Sequence, residues 1–204
     1  MLLDAYPKEA TLRDGRRVVI HPLANGDFDK LYAFFQALPP EDRLFLRNDV
    51  TDPAVVQTWV ANIDLNRAIP LVAEDGEKIV ADGTLHFARH GWSQHVGNVR
   101  LVTAATHRQV GLGTIITREL VALAEERGLE KLQTQVIEDN VGSVALFKLL
   151  GFKTAGVLKD MVRDREGKKR NLAIMVNDVA DLGQIMEDWI HDSMIPGFRA
   201  GEGA

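Results

Sequence analysis

The 204-residue chain has no cysteine. That absence excludes disulfides, a thiolate metal site and a cysteine acyl-enzyme intermediate. No apolar run approaches the roughly 18 residues that a membrane-spanning helix needs, so no membrane partner is expected. The amino terminus carries Asp4 and lacks the hydrophobic core of a signal peptide, which makes a cytoplasmic protein the expectation. Repeats and low-complexity segments are also lacking. Positive charge is not in excess: at a net charge of −5 there is no electrostatic reason to expect nucleic acid. What remains, 46% hydrophobic and 26% charged residues, is the composition of an ordinary globule. The length favours one domain with an appendage.

The most informative stretch runs from Val99 to Arg127. Val99, Leu101 and Thr103 alternate with Arg100 and Val102, as in a largely buried strand. Ile115, Ile116, Leu120, Val121, Leu123 and Ala124 then recur at helical spacing up to Gly128. Between them lies Arg108-Gln109-Val110-Gly111-Leu112-Gly113. A strand entering a helix through such a loop leaves the first helical N–H groups free, which makes an anion site suited to pyrophosphate. The glycines allow close backbone approach, and Arg108 adds a positive charge. No Lys-Ser/Thr follows Gly113, so this is not a P-loop. The third glycine and distal acid of a dinucleotide fingerprint are missing too.

A second motif follows: Asn140-Val-Gly-Ser-Val-Ala-Leu-Phe-Lys-Leu-Leu-Gly-Phe152. Together and in this order, the two resemble the GNAT superfamily of acyl-CoA-dependent N-acetyltransferases, over roughly residues 17–176. In that family the first loop holds the CoA pyrophosphate and the later helix lies along the pantetheine arm. One departure is that the usual Tyr of the second motif is Phe147. The opening third (Leu-Arg-Asp-Gly, strand, Pro, helix, Phe-Phe-x-x-Leu-Pro-Pro-Glu-x-Arg-Leu-Phe-Leu-Arg) is similar, more loosely, to bacterial protein-lysine acetyltransferase GNAT domains. The fold implied is α/β: a mixed, mostly antiparallel central sheet flanked by helices, plus a C-terminal helix.

In chain order, residues 1–16 read as a loose lead-in ending at Asp14-Gly15, residues 17–176 as the acetyltransferase domain, and residues 177–204 as a C-terminal amphipathic helix and tail. Strands are expected at Arg17–Leu23, Ile69–Ala73, Lys78–Phe87, from Val99, at Lys131–Ile137, Lys153–Leu158 and Lys168–Val176. Asn25-Gly26-Asp27 begins a helix carrying Phe28, Leu31, Tyr32 and Phe35, and Asp52-Pro53 caps another through Val60. Phe28, Phe34, Phe35 and Phe45 are expected in the core. Arg89–Asn98 reads as a polar connection. The helix Asp178–His191 has an apolar stripe of Val179, Leu182, Ile185, Met186, Trp189 and Ile190. Two coverings stay open for it: its own sheet or the Phe28–Phe35 helix, or a subunit or partner interface such as that of a homodimer.

Acetyl transfer to an amine requires a polarised thioester carbonyl, a deprotonated amine and a protonated leaving thiolate. The resemblance implies acetyl-CoA as co-substrate. It also implies a bulge in the strand before the loop, with unpaired amides around Leu101 and Thr103. The CoA-binding set it implies is Leu101, Val102, Thr103, Arg108, Gln109, Val110, Gly111, Leu112, Gly113, Thr114, Asn140, Ser143 and Phe147, with no metal. The related lysine acetyltransferases keep a Glu near the start of that strand. Here the position falls on or beside Asn98, which cannot serve as a base. His86 on the adjacent strand, His95 and Glu138 (beside Asp139) are the candidate bases, with histidine in the suitable pKa range; a water chain is an alternative. Phe147 has no O–H to protonate the thiolate, though a thiol pKa of about 8.5 makes CoA a tolerable leaving group. The function implied is transfer of an acetyl group to a primary amine (protein lysine, N-terminus or small molecule) by direct transfer in a ternary complex. Asn98 and Phe147 leave a second reading open: a catalytically weak or inactive acyl-CoA-binding regulator on the same scaffold.

Overall fold

The alternating runs of the sequence become strands, and a computed structural model describes them within residues 2–43, 46–164 and 166–183. The strands are β1 (Lys8–Thr11), β2 (Arg17–Pro22), β3 (Ala68–Asp75), β4 (Lys78–Phe87), β5 (Val96–Thr103), β6 (Lys131–Ile137), β7 (Lys153–Arg163) and β8 (Lys169–Asp178). The helices are α1 (Phe28–Ala37), α2 (Pro40–Arg43), α3 (Pro53–Ala61), α4 (Leu112–Glu126) and α5 (Val141–Leu149). All eight strands form one sheet, in the order β1-β2-β3-β4-β5-β6-β8-β7. Only β5 and β6 run parallel; the other neighbours are antiparallel.

Side chains alternate across a strand, so each strand feeds both faces of the sheet. On β4, Ala81, Gly83 and Leu85 face α4 and join the main core with Ile116 and Leu120. On the other face, α1 and α3 cover Val72 and Ile79 with Leu31, Phe34, Phe35, Val56 and Val60. There the Phe35 ring meets Trp59 edge-on, at 5.8 Å between centroids. α3 starts where the sequence places it: Asp52 accepts the Ala54 N–H at 2.9 Å, and Pro53 fills a first-turn position that needs no donor.

Four expectations are corrected. Residues 1–16 are not a loose lead-in: β1 pairs with β2, and Leu12 is buried in the main core. Buried Glu119 of α4 holds this segment, accepting from Tyr6 Oη at 2.8 Å and Lys8 Nζ at 2.6 Å. β5 begins at Val96, not Val99, because Asn98 pairs with His86 across β4, so the polar connection is shorter. β7 continues past Leu158 to Arg163, since β8 offers it partners through Lys169. β8 runs to Asp178, so the last helix starts at Val179, and Val179 and Leu182 are buried against the main core. The rest of its stripe (Ile185, Met186, Trp189 and Ile190) lies outside the described residues, as does Phe45. Among the described residues, no helix is long and apolar enough to cross a membrane.

Gly83 sets how closely α4 lies on β4. A Cβ there would collide with Ile116 and sit 3.3 Å from Leu120. Overpacking of this kind costs about 1–3 kcal/mol. Gly83→Ala should lower the urea midpoint by a matching amount. Gly26→Ala, at a position with open space, should leave it nearly unchanged.

Candidate active site

β5 and β6 stay together for only three register pairs, Val96–Lys131, Gly97–Leu132 and Asn98–Gln133. Beyond Asn98, β5 remains on β4 while β6 follows β8, so the sheet divides. Alternate residues of a strand send their backbone groups to opposite edges. Ala104 N–H bonds Val80 O at 2.8 Å on the β4 side. Thr134 Oγ1 donates to Val99 O at 2.9 Å from the β6 side. Odd-numbered residues of β5 therefore face the gap, Leu101 and Thr103 among them. The expected bulge is not what frees these amides: the β4–β5 register is unbroken from Ala81–Thr103 to Phe87–Gly97. The divergence of β6 frees them.

The loop from Arg108 to Gly111 lies at the open end of this gap. Gln109 and Gly111 are both left-handed, at φ 61° and 89°, which is ordinary for glycine and strained for glutamine. Ile115 N–H is the first to bond back, to Gly111 O at 3.0 Å, so the N–H groups of residues 111–114 have no partner within the helix. His107 anchors the preceding turn, with Nε2 lying 2.8 Å from Arg16 Nη1 and 3.1 Å from Asp75 Oδ2. A Cβ on Gly113 would lie 3.1 Å from Leu146 of α5 and 3.4 Å from Leu101 of β5. The two sequence motifs thus meet at one glycine.

Side chains within the expected CoA set divide. Asn140 caps α5, its Oδ1 accepting Ser143 N–H at 3.1 Å, so both act at the strand-to-helix junction. Leu112 and Thr114 bury their side chains and can offer only backbone to a ligand. Phe147 does not line a thioester pocket. It is 3% exposed and packs edge-on against Phe152, because helical spacing turns it into the core. Arg108 is turned away from the loop by Asp42 of α2, at 2.6 Å, with a long 3.4 Å contact to Thr103 O. The cation beside the loop is Arg13, whose side chain lies within 4 Å of a Cβ built on Gly111 and whose N–H bonds Val110 O at 3.0 Å.

On the opposite face of β4 and β5, under α1 and α3, is a cavity of about 360 Å³. Asp82, Thr84 and His86 line it from β4, and Arg100 and Val102 from β5. The register sets Asp82 across from Val102, Thr84 from Arg100 and His86 from Asn98. Burial pushes the Asp82 carboxyl up to about 6, against the opposing pull of Thr84 and Arg100. Burial, with Arg100 and Arg47 adding to it, pushes His86 down to about 4. At neutral pH His86 is a neutral, weakly basic imidazole, and Asp82 is the stronger base. The sequence carried one sign of this: an aspartate inside an apolar strand, where aspartate is disfavoured.

The other candidate bases lie elsewhere. His95 precedes β5 at the paired end, its carbonyl accepting Glu130 and Lys131 N–H. From there to Leu101 is roughly 20 Å of strand. Glu138 follows β6 and accepts from Asn171 Nδ2 at 2.8 Å. Its neighbour Asp139 pairs with Arg170 at 2.7 Å. Only His86 of the three shares a cavity with Asp82. No group of three His, Cys, Asp or Glu that could hold a metal occurs among the described residues.

The model of the acetyltransferase (GNAT) family matches residues 29–152, more than half of the chain. Solved structures share the fold. The GNAT domain of S. lividans PAT superposes with a TM-score of 0.68 at 17% identity, covering 84% of this chain and 96% of that one. The ribosomal-protein-S5-alanine acetyltransferase from Vibrio fischeri gives 0.71 at 15% identity, covering 81% and 94%. The putative acetyltransferase yncA from Salmonella typhimurium, solved with its cofactor acetyl-CoA, gives 0.67 at 17% identity, covering 79% and 94%. At such identities the likeness is one of fold.

Asp82 has a measurable consequence for stability. Its folded-state pKa lies above the ordinary carboxyl value, so the folded protein holds this proton more tightly than the unfolded chain. That contribution is complete below about pH 4 and is lost as pH rises through about 6. Asp82→Asn removes the cost of burying the charge. Urea unfolding across pH should show the variant gaining on wild type between pH 4 and 7, by on the order of 2 kcal/mol. A gap that stays constant with pH would contradict this assignment.

Proposed function

The chain belongs to the GNAT family of acetyltransferases, and from that premise we propose that it transfers an acetyl group from acetyl-CoA to a primary amine, directly within a ternary complex. One observation carries the reading. The backbone edge opened at Leu101 and Thr103 and the carboxylate of Asp82 lie on adjoining strands, Asp82 opposite Val102. Acetyl-CoA supplies an activated thioester. The residues present fit it: unpartnered N–H groups at the start of α4, Arg13 against the loop, and free amides along β5.

In this reading, the amides of residues 111–114 and Arg13 hold the pyrophosphate, joined by Arg108 once it leaves Asp42. The N–H groups of Leu101 and Thr103 align the pantetheine and polarise the thioester carbonyl. The amine enters through the cavity, and Asp82 accepts its proton at Oδ. His86, neutral beside Asn98, lines the path without competing for that proton. The thiolate is protonated from water and the departing ammonium proton, since Phe147 is buried and carries no O–H. Asp82 fills the role that Asn98 cannot, which favours turnover over a purely regulatory role.

Two variants test this. Gly111→Val would force a branched side chain into a left-handed position against Arg13, and CoA affinity by calorimetry should fall at least ~10-fold. Asp82→Asn should keep CoA affinity but lower kcat, read as free thiol released with an amine present, by about 10²-fold. Unchanged affinity in the first, or unchanged kcat in the second, would overturn the corresponding role.

A further inference from the structure

The cavity beside Asp82 has a charge pattern that simple amine recognition does not need. Its walls are apolar, with Leu23, Phe35, Trp59, Ile63 and Val102 among them. Two guanidinium groups, Arg47 and Arg100, also line it, and both residues are exposed to solvent. Desolvation lowers the affinity of Arg100 for its proton, and Arg47, on the same cavity, adds to this. Arg47 donates to Gln135 Oε1 on β6, a neutral acceptor that leaves its charge in place. Asp82 is the carboxylate that bears on Arg100. The cavity's other acid, Asp64, accepts the Asn66 N–H at 3.0 Å within its own turn. His86 adds no positive charge at neutral pH. Two exposed like charges beside an apolar cavity form a site for an anion, and guanidinium matches carboxylate in geometry.

We propose that the acceptor is a free α-amino acid with an apolar side chain, its carboxylate held by Arg47 and Arg100 while its amine lies at Asp82. This rests on the acetyl-transfer reading above. Asp82 and Arg100 occupy diagonal positions on adjacent strands of one face, so a single small molecule can touch both. A volume of about 360 Å³ suits such a molecule, and the apolar walls suit its side chain. A lysine side chain of a protein, or a peptide N-terminus followed by an amide, brings no anion to the two arginines. The step balances. The amine nitrogen bonds to the thioester carbonyl carbon as the C–S bond breaks. One ammonium proton passes through Asp82 to solvent, and the second ends on the thiolate. The product is an N-acetyl amino acid with its carboxylate unchanged.

The experiment compares leucine, leucinamide, a peptide with N-terminal leucine and a peptide with an internal lysine, each with acetyl-CoA, by thiol release and mass of the product. Leucine should exceed leucinamide in kcat/KM by at least ~10-fold, the loss expected when a charge-assisted pair is removed. Arg100→Gln and Arg47→Gln should each shrink that ratio by about the same factor, mainly through the KM for leucine. Calorimetry with CoA serves to check that each variant is folded. Equal use of leucine and leucinamide, or preference for either peptide, would overturn the acceptor assignment and leave acetyl transfer standing. Acetylation of none of the four would overturn both.

Discussion

The candidate site depends on a single constraint: β5 can pair with only one neighbour past Asn98. β4 holds β5 over seven register pairs, and β8 holds β6 over seven. The three parallel pairs between β5 and β6 are therefore the hinge of a wedge. Opening a buried sheet edge is costly because backbone groups lose their partners. Thr134 Oγ1 satisfies the carbonyl of Val99 nearest the hinge. Further out, the odd-numbered groups of β5 face the gap. The N-terminus of α4 closes the outer end, and Leu146 of α5 and Leu101 of β5 press on Gly113. The wedge is thus propped open by packing, and the groups it leaves free are those that a thioester and its pantetheine arm can use.

The opposite face carries the other cost. An aspartate, a histidine and two arginines share a cavity with leucine, phenylalanine and tryptophan side chains. Burial raises the carboxyl, and burial together with Arg100 and Arg47 lowers the imidazole. Such a site lowers stability, and the surrounding core offsets that. α4 is buried on nearly every side, through Leu112, Ile115, Ile116, Leu120 and Leu123. Its polar Glu119 is paired with Tyr6 and Lys8 from the amino-terminal segment. The closeness of α4 to β4 at Gly83 gives the sheet a rigid backing, and a positioned base requires such rigidity.

The glycine loop ahead of α4 and the α4 pattern were legible in the sequence because each is local: a few residues fix a turn or a period. β6 was read to its final residue for the same reason, strict alternation over Lys131–Ile137. The missing pieces are all long-range. β1 is four residues long and gains its identity only by pairing with β2 and by Glu119, more than a hundred positions away. Asp82 is one of many acidic residues until the fold sets it in a cavity. Phe147 matches the place of a motif tyrosine, yet which way a helical side chain faces depends on where α5 packs, and here it packs Phe147 against Phe152. The bulge expected in β5 was replaced by a divergence that only the partner strands could reveal.

The first third of the chain also links the two halves of the site. Asp42 of α2 holds Arg108, which belongs to the glycine loop ahead of α4. A few residues on, Arg47 lines the cavity beside Asp82 and reaches Gln135 on the far side of the wedge. An anion that recruits Arg108 must draw it from Asp42, so the affinity gained is only the surplus over that pair. The pair is partly exposed, and such pairs contribute about 0–1 kcal/mol. The exchange is therefore cheap for an anion at this loop, which would also meet the unpaired N–H groups at the start of α4.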